Sequence, residues 1–309
     1  MSTRKVVIDC DPGTDDFVAL LILLHADKLK KIKIEAICCS MGNTTLDYVC
    51  KNIVRTLEMV DRTDIPVFKG SETQIIIPDK PIPVYHLEDG FGNLGHEYKP
   101  DMSIIKEKPS PIALNDILNQ HPNEVSLIFL GPLTNLALAL KLYPNMSDKV
   151  KDLWIMGGNG ISGKGNTTPT AEYNFFVDPE SVHIVLQSLA CPITILPWET
   201  LLESTVSYQW RYSTLGKKSE AFKLLNRMEK AINRPNKETW RCFDAVLACA
   251  FLNPDNFITR KTKYHATIDL HENRGQVILN QEKTHNVMII EAFNTEKFKE
   301  ILLKIEDTY

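Results

Sequence analysis

The sequence contains no apolar run long enough to span a membrane, and it enters its first short apolar run without the apolar core of a signal peptide. It also lacks an excess of positive charge. The formal net charge is -4, and no basic stripe is present that would attract nucleic acid or anchor the chain to a membrane. We therefore expect a cytoplasmic protein whose partners are small molecules and copies of itself.

Paired cysteines and linkers are missing as well. The seven cysteines are odd in number, lie mostly inside apolar runs and form no CxxC pair, so reduced, buried thiols are expected rather than disulfides or a zinc site. No Pro/Ser/Gly-rich stretch, low-complexity tract or repeat divides the 309 residues. With 43% hydrophobic residues the chain can bury a large core, and we expect a single domain over residues 1–309.

What the sequence does contain is an alternation of apolar runs and helical patterns. Strands are predicted near residues 6–9, 34–40, 65–68, 126–130, 153–156 and 193–196, and helices near residues 16–24, 46–59, 134–142, 179–189, 219–231 and 245–252. This alternation predicts an α/β fold with a mostly parallel, Rossmann-like sheet flanked by helices. Residues 263–270, 275–280 and 286–291 instead predict a C-terminal β meander, closed by a helix near residues 295–305.

Residues 6–16, VVIDCDPGTDD, place four carboxylates around a Pro-Gly turn at the end of an apolar run: Asp9, Asp11, Asp15 and Asp16. So many acids at one strand end repel one another unless a cation lies among them, as in hard-cation sites with oxygen ligands. An acidic helix start is the alternative, because Asp favours N-caps and first turns. That alternative does not explain Asp9 and Asp11 on the strand side, so the cluster predicts a metal or catalytic site.

Polar segments follow other predicted strands, at the carboxyl ends where ligands bind in such sheets. Because Gly131-Pro132 follows the fourth strand, the Leu130 carbonyl can lose its ladder partner and be free to bind a cation, although an ordinary turn is the alternative. Asp244 precedes an apolar helix, which it could simply cap.

A Gly-rich loop after Met156 leads to three polar side chains that can form hydrogen bonds. Asn166, Glu172 and Asn174 suit a substrate with several hydroxyl groups, because each hydroxyl needs a donor or acceptor placed for it. A solvated loop is the alternative interpretation of this segment.

These motifs together resemble the inosine-uridine-preferring nucleoside hydrolase family, whose N-terminal mark is DxDPGxDD. The mark stands at residues 9–16 as DCDPGTDD. The similarity continues in order through GN at 42–43, HLEDGFGN at 86–93, GPLTN at 131–135, MGG at 156–158, NTTP at 166–169, AEYN at 171–174, VDP at 177–179 and DA at 244–245. So many ordered motifs cover nearly the whole chain.

The resemblance implies an N-glycosidase that cleaves ribonucleosides with water to ribose and free base and holds one Ca²⁺. The implied calcium ligands are the carboxylates of Asp11, Asp16 and Asp244 and the carbonyl of Leu130. Asp11 would also take the proton of a calcium-bound water, and the carboxylates would stabilise an oxocarbenium-like sugar. A ribonucleoside is then the expected partner, without nucleic acid or membrane, and a homodimer or homotetramer is the expected assembly.

The resemblance also implies which residues bind the substrate. Asp15 and Asn43 would hold the 2′ and 3′ hydroxyls and Met156 would pack near the ribose. The 5′ hydroxyl would be held by Asn166, Glu172 and Asn174.

One position departs from the family pattern. Many members carry a histidine before the C-terminal metal aspartate and use it to protonate the departing base, but this chain has Phe243, which cannot give up a proton. Other branches place an aromatic residue there and stack it on a purine. Phe243 could do so with Tyr85 or His86, and we expect a purine preference, although Phe243 could also only cover the metal. The role of His86 stays open, because Leu87 replaces the usual Gly of its loop.

Spacing alone does not identify which further residues form the nucleobase wall or a lid. The candidates are Trp198, Trp210, Trp240, Tyr212 and Arg234. Two other functions compete with hydrolysis. A haloacid-dehalogenase-type phosphatase would share Asp9-x-Asp11 but needs Thr or Val where Gly13 stands. A non-catalytic nucleoside- or ribose-binding relative would have no reason to keep Asp11 for water activation.

Overall fold

The computed structural model describes residues 3–77, 83–203, 206–232 and 238–309. Within them the strands are β1 (Arg4–Cys10), β2 (Ile32–Cys39), β3 (Val67–Lys69), β4 (Ile105–Lys106), β5 (Val125–Phe129), β6 (Asp152–Met156), β7 (Ile193–Leu196), β8 (Ile258–Ile268), β9 (Val277–Asn280) and β10 (Val287–Phe293). These described strands form one sheet in the order β4-β3-β2-β1-β5-β6-β7-β10-β8-β9.

The helices of the described residues lie between and after these strands. They are α1 (Thr14–Lys28), α2 (Leu46–Met59), α3 (Ser110–Gln120), α4 (Thr134–Leu142), α5 (Tyr173–Val177), α6 (Pro179–Ser188), α7 (Tyr208–Thr214), α8 (Glu220–Ala231), α9 (Phe243–Leu252), α10 (Pro254–Phe257) and α11 (Thr295–Glu306). In the described part of the chain, no helix is both long and apolar enough to cross a bilayer.

The sheet from β4 to β7 is parallel and is covered by helices on both faces. Because side chains alternate along a strand, Val6 and Ile8 of β1 pack into the core that contains α1, α2, α8 and α9, whereas Val7 packs into the core that contains α3, α4 and α6. Helix α1 is buried almost throughout, between the sheet and α9. The predicted α/β class with a mostly parallel, Rossmann-like sheet is therefore confirmed.

The C-terminal strands are present, but their order differs from the predicted meander. Strand β8 lies between β10 and β9 and is antiparallel to both, whereas in a meander each strand would pair with the next. Strand β10 passes β8 and pairs in parallel with β7, through Val287 with Ile193 and Ile289 with Ile195. This order joins the late strands to the main sheet and buries Ile289 and Ile290, and α11 closes the chain as predicted.

Candidate active site

The functional candidates lie at the carboxyl edge of the parallel sheet, which is where such sheets bind ligands. Loops after β1, β2, β5 and β6 meet the first turn of α9 around a cavity of about 230 Å³. The lining residues are Asp15, Asn43, Tyr85, His86, Leu130, Met156, Asn166, Glu172, Tyr173, Asn174, Trp198, Tyr208, Thr239, Arg241, Phe243 and Asp244. Every residue that the sequence predicts to bind substrate therefore lines one cavity.

Three carboxyl groups meet where α1 and α9 begin. Carboxylate oxygens of Asp15, Asp16 and Asp244 all lie within 4.8 Å of one another. Asp11 joins this group through two hydrogen bonds: its N–H donates to Asp16 Oδ1 at 3.3 Å, and its Oδ2 accepts from the Asn43 N–H at 2.7 Å. Residues that are far apart in sequence thus form one acidic cluster, because α1 packs against α9.

Burial raises the pKa of the carboxyls in this cluster. Desolvation, followed by the charge of Asp15, raises the pKa of Asp16 to about 7. Desolvation and the charge of Asp16 raise the pKa of Asp11 and of Asp244 well above their ordinary value. Both causes disfavour the ionised form, and a nearby cation would oppose both. The cluster is therefore suited to hold positive charge.

Several oxygens of the cluster point to a cation as the missing partner. Among the described residues, Asp11 Oδ1, Asp15 Oδ1 and Asp244 Oδ1 are buried without a hydrogen-bond partner. A buried carboxylate oxygen without a partner is costly, and hard divalent cations take this kind of ligand. The residues present therefore fit a hard divalent metal ion.

The predicted ligand set of Asp11, Asp16, Asp244 and the Leu130 carbonyl stays a prediction, and the geometry places Asp15 beside it. The compact trio contains Asp15 rather than Asp11. The Gly-Pro turn predicts that the Leu130 oxygen lacks a ladder partner and is free. In the structure it is not free, because Asn174 Nδ2 donates a hydrogen bond to it at 2.8 Å. A carbonyl oxygen has two lone pairs, so binding of a cation by Leu130 stays a prediction.

Glu172 and Asn174 fix the loop after β6 as well as lining the cavity. Glu172 caps α5: its Oε1 accepts the Asn174 N–H at 3.0 Å, and its Oε2 accepts those of Gly158 at 2.8 Å and Phe175 at 3.3 Å. Desolvation outweighs these bonds and raises the pKa of Glu172 to about 7. Asn174 Nδ2 also donates to the Met156 carbonyl at 3.1 Å. Each side chain therefore has a structural task beside any contact with substrate.

The loop that carries His86 adopts the backbone that a glycine would favour. Leu87 has a φ of 61°, in the left-handed region that favours glycine, so this chain holds a strained Leu there. His86 Nδ1 accepts the Thr14 N–H at 3.2 Å, and its Nε2 lies 3.8 Å from Asp15 Oδ1. His86 is therefore placed beside the acidic cluster, in contact with the first turn of α1.

Asp89 organises the same loop, a role that the sequence analysis missed. Its Oδ1 accepts the N–H groups of Phe91 and Asn93, and its Oδ2 accepts that of Gly95. The D-G-x-G spacing was a usable signal, because an Asp before a tight turn often accepts nearby backbone N–H groups.

Aromatic residues from separate segments also line the cavity. We call Tyr85, Trp198, Tyr208 and Phe243, together with Arg241, the aromatic wall, and we call Asp15, Asn43, Asn174 and Asp244 the acidic wall. Of the proposed base-pocket candidates, Trp198 lines the cavity, whereas Trp210, Trp240 and Tyr212 do not. Arg234 lies outside the described residues.

Tyr173, Tyr208, Thr239 and Arg241 line the cavity without having been predicted. Tyr173 donates its hydroxyl to the Gly42 carbonyl at 2.7 Å and contacts Tyr85 edge to face, with ring centroids 5.4 Å apart. Tyr208 stacks on Tyr212 at 5.8 Å. Tyr173 lies within the AEYN motif, whereas no local pattern marks Tyr208, Thr239 and Arg241, which reach the cavity only through the fold.

Comparison with known proteins gives a consistent family assignment. A sequence profile described as "Inosine-uridine preferring nucleoside hydrolase" matches residues 6–300. The chain is 35% identical over 198 residues to a pyrimidine-specific ribonucleoside hydrolase, RihA, of Shewanella woodyi, covering 62% of this chain and 59% of that protein. It is 30% identical over 223 residues to an inosine-uridine preferring nucleoside hydrolase of Leishmania major, covering 72% of this chain and 69% of that one.

Solved structures share the fold over almost the full chain. A structure described as an inosine-guanosine nucleoside hydrolase matches with a TM-score of 0.88 and 25% identity, covering 98% of this chain and 99% of that one. A purine-preferring ribonucleoside hydrolase from Gardnerella vaginalis has the same fold, with a TM-score of 0.86 and 19% identity. The names of these similar proteins differ in the base that they prefer.

Proposed function

The chain belongs to the inosine-uridine preferring nucleoside hydrolase family, and we propose that it hydrolyses the N-glycosidic bond of ribonucleosides to ribose and free base with the help of Ca²⁺. The observation that carries the proposal is the acidic cluster of Asp11, Asp15, Asp16 and Asp244, which lies at the same cavity as side chains suited to ribose hydroxyls. Because the nucleoside hydrolase profile matches residues 6–300, we do not retain the phosphatase alternative.

The metal role rests on the buried oxygens of the cluster. Asp11, Asp16 and Asp244 would hold the ion, with Asp15 close enough to share it and Leu130 offering its second lone pair. When bound, Ca²⁺ would supply positive charge that offsets these carboxylates and makes a water easier to deprotonate. The preference for Ca²⁺ over other hard cations is part of the proposal, since a set of carboxylate and carbonyl oxygens suits it.

Asp11 would take the proton from the attacking water at its Oδ1. Its Oδ2 is fixed by the Asn43 N–H at 2.7 Å, whereas Oδ1 has no hydrogen-bond partner among the described residues and is available. The proton would therefore move from the water to a carboxylate that the loop after β2 holds in a fixed orientation.

The acidic wall would orient the sugar. Asp15 and Asn43 would bind the 2′ and 3′ hydroxyls, while Asn166, Glu172 and Asn174 would bind the 5′ hydroxyl beside Met156. As the C1′–N bond breaks, positive charge grows on the sugar, and the surrounding carboxylates would stabilise it more than they stabilise the neutral substrate. His86, 3.8 Å from Asp15 Oδ1, would border the bound nucleoside.

Purines are the proposed preferred bases. Phe243 lines the cavity next to Asp244 and cannot protonate a leaving group, so stacking on a large base is the help it could give. Related proteins carry names of either preference, pyrimidine-specific or purine-preferring, so the choice rests on Phe243 and its aromatic neighbours.

A direct assay tests the activity. The purified protein would be incubated with inosine, adenosine, guanosine, uridine and cytidine, and both reducing sugar and free base would be measured. We expect release of both in equal amounts, fastest from the purine nucleosides. A protein that binds nucleosides but releases neither product from any of them would be the non-catalytic relative instead.

Two further proposals concern the whole chain. Strands from β1 to β10 belong to one sheet, which supports a single domain over residues 1–309. A homodimer or homotetramer is proposed as the assembly, and light scattering coupled to size-exclusion chromatography would measure the mass against the 35.1 kDa of one chain.

A further inference from the structure

We infer that Arg241 binds the departing nucleobase and stabilises the negative charge that the base acquires when the glycosidic bond breaks. The inference rests on the proposed hydrolysis of nucleosides. It gives this chain a means of assisting the leaving group that does not require a proton donor at position 243.

The cavity is lined by more acidic than basic side chains. Its acidic lining residues are Asp15, Glu172 and Asp244. Among the described residues that line it, Lys and Arg are represented by Arg241 alone. Arg241 belongs to the aromatic wall, two residues before Phe243 and three before Asp244. A cation that lines the cavity beside Phe243 can act on the departing base.

The backbone around Arg241 is held on both sides. Before it, Thr239 pairs with Ser207 and the Trp240 N–H donates to the Val206 carbonyl at 2.8 Å. The Trp240 indole is buried, stacks on Phe298 and donates Nε1 to Glu229. After it, helix α9 begins. The arginine is therefore presented from a fixed segment.

The guanidinium is anchored but not used up. Its Nε donates to the Leu201 carbonyl at 3.2 Å, and no other hydrogen bond or ion pair of Arg241 is found within the described residues. Its side chain is partly exposed at the cavity. A guanidinium carries five N–H donors, so the terminal nitrogens keep donors for a ligand that offers acceptor atoms.

This arrangement fits the chemistry of the leaving group. When the C1′–N bond breaks, both electrons pass to the base, whose ring nitrogens and any exocyclic oxygen then share a negative charge. The water oxygen bonds to C1′, one water proton goes to Asp11, and the base later takes a proton from solvent. A guanidinium stays charged and donates hydrogen bonds without losing its proton, so Arg241 would stabilise the anion until that proton arrives.

The alternative is that Arg241 only ties the segment before α9 to Leu201. A purely structural role would weaken every substrate alike. A role at the base would weaken substrates in proportion to how poorly their leaving groups carry negative charge.

The test compares Arg241→Met, Arg241→Lys and a matched control, Arg260→Met, whose guanidinium lies on the surface and pairs with Glu291 at 3.0 Å. The kcat/KM would be measured for inosine, uridine and p-nitrophenyl riboside. The leaving group of the last substrate, p-nitrophenolate, is a stable anion that needs no proton when it departs. Arg241→Met should lower kcat/KM for the natural nucleosides by about tenfold to a hundredfold and that for p-nitrophenyl riboside by much less. Arg241→Lys should recover part of the loss, and Arg260→Met should match the wild type.

A binding measurement separates this inference from the proposed function. Calorimetry with free xanthine would compare binding of the anionic base, above the pKa of xanthine, with binding of the neutral base, below that pKa. Wild-type protein should bind the anion more tightly, and Arg241→Met should lose that preference while Arg260→Met keeps it. Equal losses for all substrates, or an unchanged preference in Arg241→Met, would overturn the role of Arg241 even if the wild type hydrolyses nucleosides. A wild type that releases no ribose but shows the preference would overturn the hydrolase function instead.

Discussion

Asp11, Asp16 and Asp244 are almost completely buried, Asp11 directly after β1 and the other two in the first turns of α1 and α9, whereas Tyr85 of the aromatic wall is 43% exposed and lies in a loop. Asp11 and Asp16 are held by backbone N–H groups of neighbouring residues, and Arg241 of the aromatic wall has one hydrogen bond within the described residues. The contrast indicates that these carboxylates are fixed by a strand end and by helix starts, whereas the position of Tyr85 depends on a loop. The similar proteins carry names with different base preferences.

If the acidic cluster performs the reaction, its substitution should have the largest effect on the molecule. Asp11→Asn should lower kcat by several orders of magnitude, because it removes both the proposed base and one ligand charge while keeping the shape of the side chain. Steady-state kinetics with inosine would measure the loss. Asp148→Asn, a change at an exposed carboxylate, is the control and should leave kcat unchanged. Near-normal turnover in Asp11→Asn would remove the mechanism proposed here.

Removal of the metal should show that the acidic cluster depends on a cation. Buried like charges repel without one, so EGTA should lower the melting temperature and abolish activity, and Ca²⁺ should restore both. Metal content measured by mass spectrometry should fall in Asp16→Ala. If neither the melting temperature nor the metal content of that variant changes, the assignment of the cluster as a metal site fails.

The contribution of the loop after β6 can be measured with altered substrates. Because Asn166, Glu172 and Asn174 are proposed to pair with the 5′ hydroxyl, 5′-deoxyinosine and inosine 5′-monophosphate should lose about tenfold to a hundredfold in kcat/KM. The loss in 5′-deoxyinosine comes from unpaired polar groups, and the loss in the monophosphate from charge and size. Comparable kcat/KM for inosine and its monophosphate would show that this loop does not read the 5′ position.

The aromatic wall should tolerate substitution better than the acidic cluster does. Stacking on a base is worth about 1 to 3 kcal/mol, so Phe243→Ala should lower kcat/KM for purine nucleosides by about fivefold to a hundredfold and that for p-nitrophenyl riboside by less. The wild type should also prefer inosine, adenosine or guanosine to uridine or cytidine. If uridine proves the best substrate, or if both kinds of substrate lose equally, Phe243 is a packing residue.

A final expected effect concerns stability rather than activity and is a pH dependence that comes from Glu172. Burial raises its pKa from the ordinary 4.5 to about 7 in the folded protein, so the folded state binds the proton more tightly than the unfolded state does. The stability that this proton contributes is complete below about pH 4.5 and is lost as the pH rises to about 7. Relative to Glu172→Gln, the wild type should therefore lose free energy of unfolding across that range. A difference that stays constant with pH would contradict a raised pKa.

Segments with a strong local pattern could be predicted from the sequence. The six strands expected in the parallel part of the sheet are all present, because each is an apolar run bounded by turn residues. Strand β4 was missed, since a strand of two residues carries no periodicity. The DxDPGxDD motif also indicated the acidic cluster, because several carboxylates near one turn need a compensating charge.

Which carboxylates share a cation position, by contrast, was decided by packing. Asp15 and Asp244 are 229 residues apart and meet because α1 lies against α9, where Cys242 Sγ also contacts the Asp15 carbonyl at 3.9 Å. The compact trio contains Asp15, whereas Asp11, which the sequence predicts as a ligand, joins the cluster through its hydrogen bonds, and its binding of a cation stays a prediction. The Leu130 carbonyl received Asn174 as its partner for the same reason, since a side chain from another loop reaches it only in the folded chain.

By itself, the sequence determined the α/β class, the strand ends and the residue types available for binding a cation and hydroxyl groups, because those depend on local periodicity and on short motifs. The tertiary structure alone decided the position of β8 between β10 and β9 and the assembly of Tyr85, Trp198, Tyr208 and Arg241 into the aromatic wall. The physical reason is that these contacts join segments distant in the chain. Their free energy comes from the burial of core side chains between the segments, which no local pattern records.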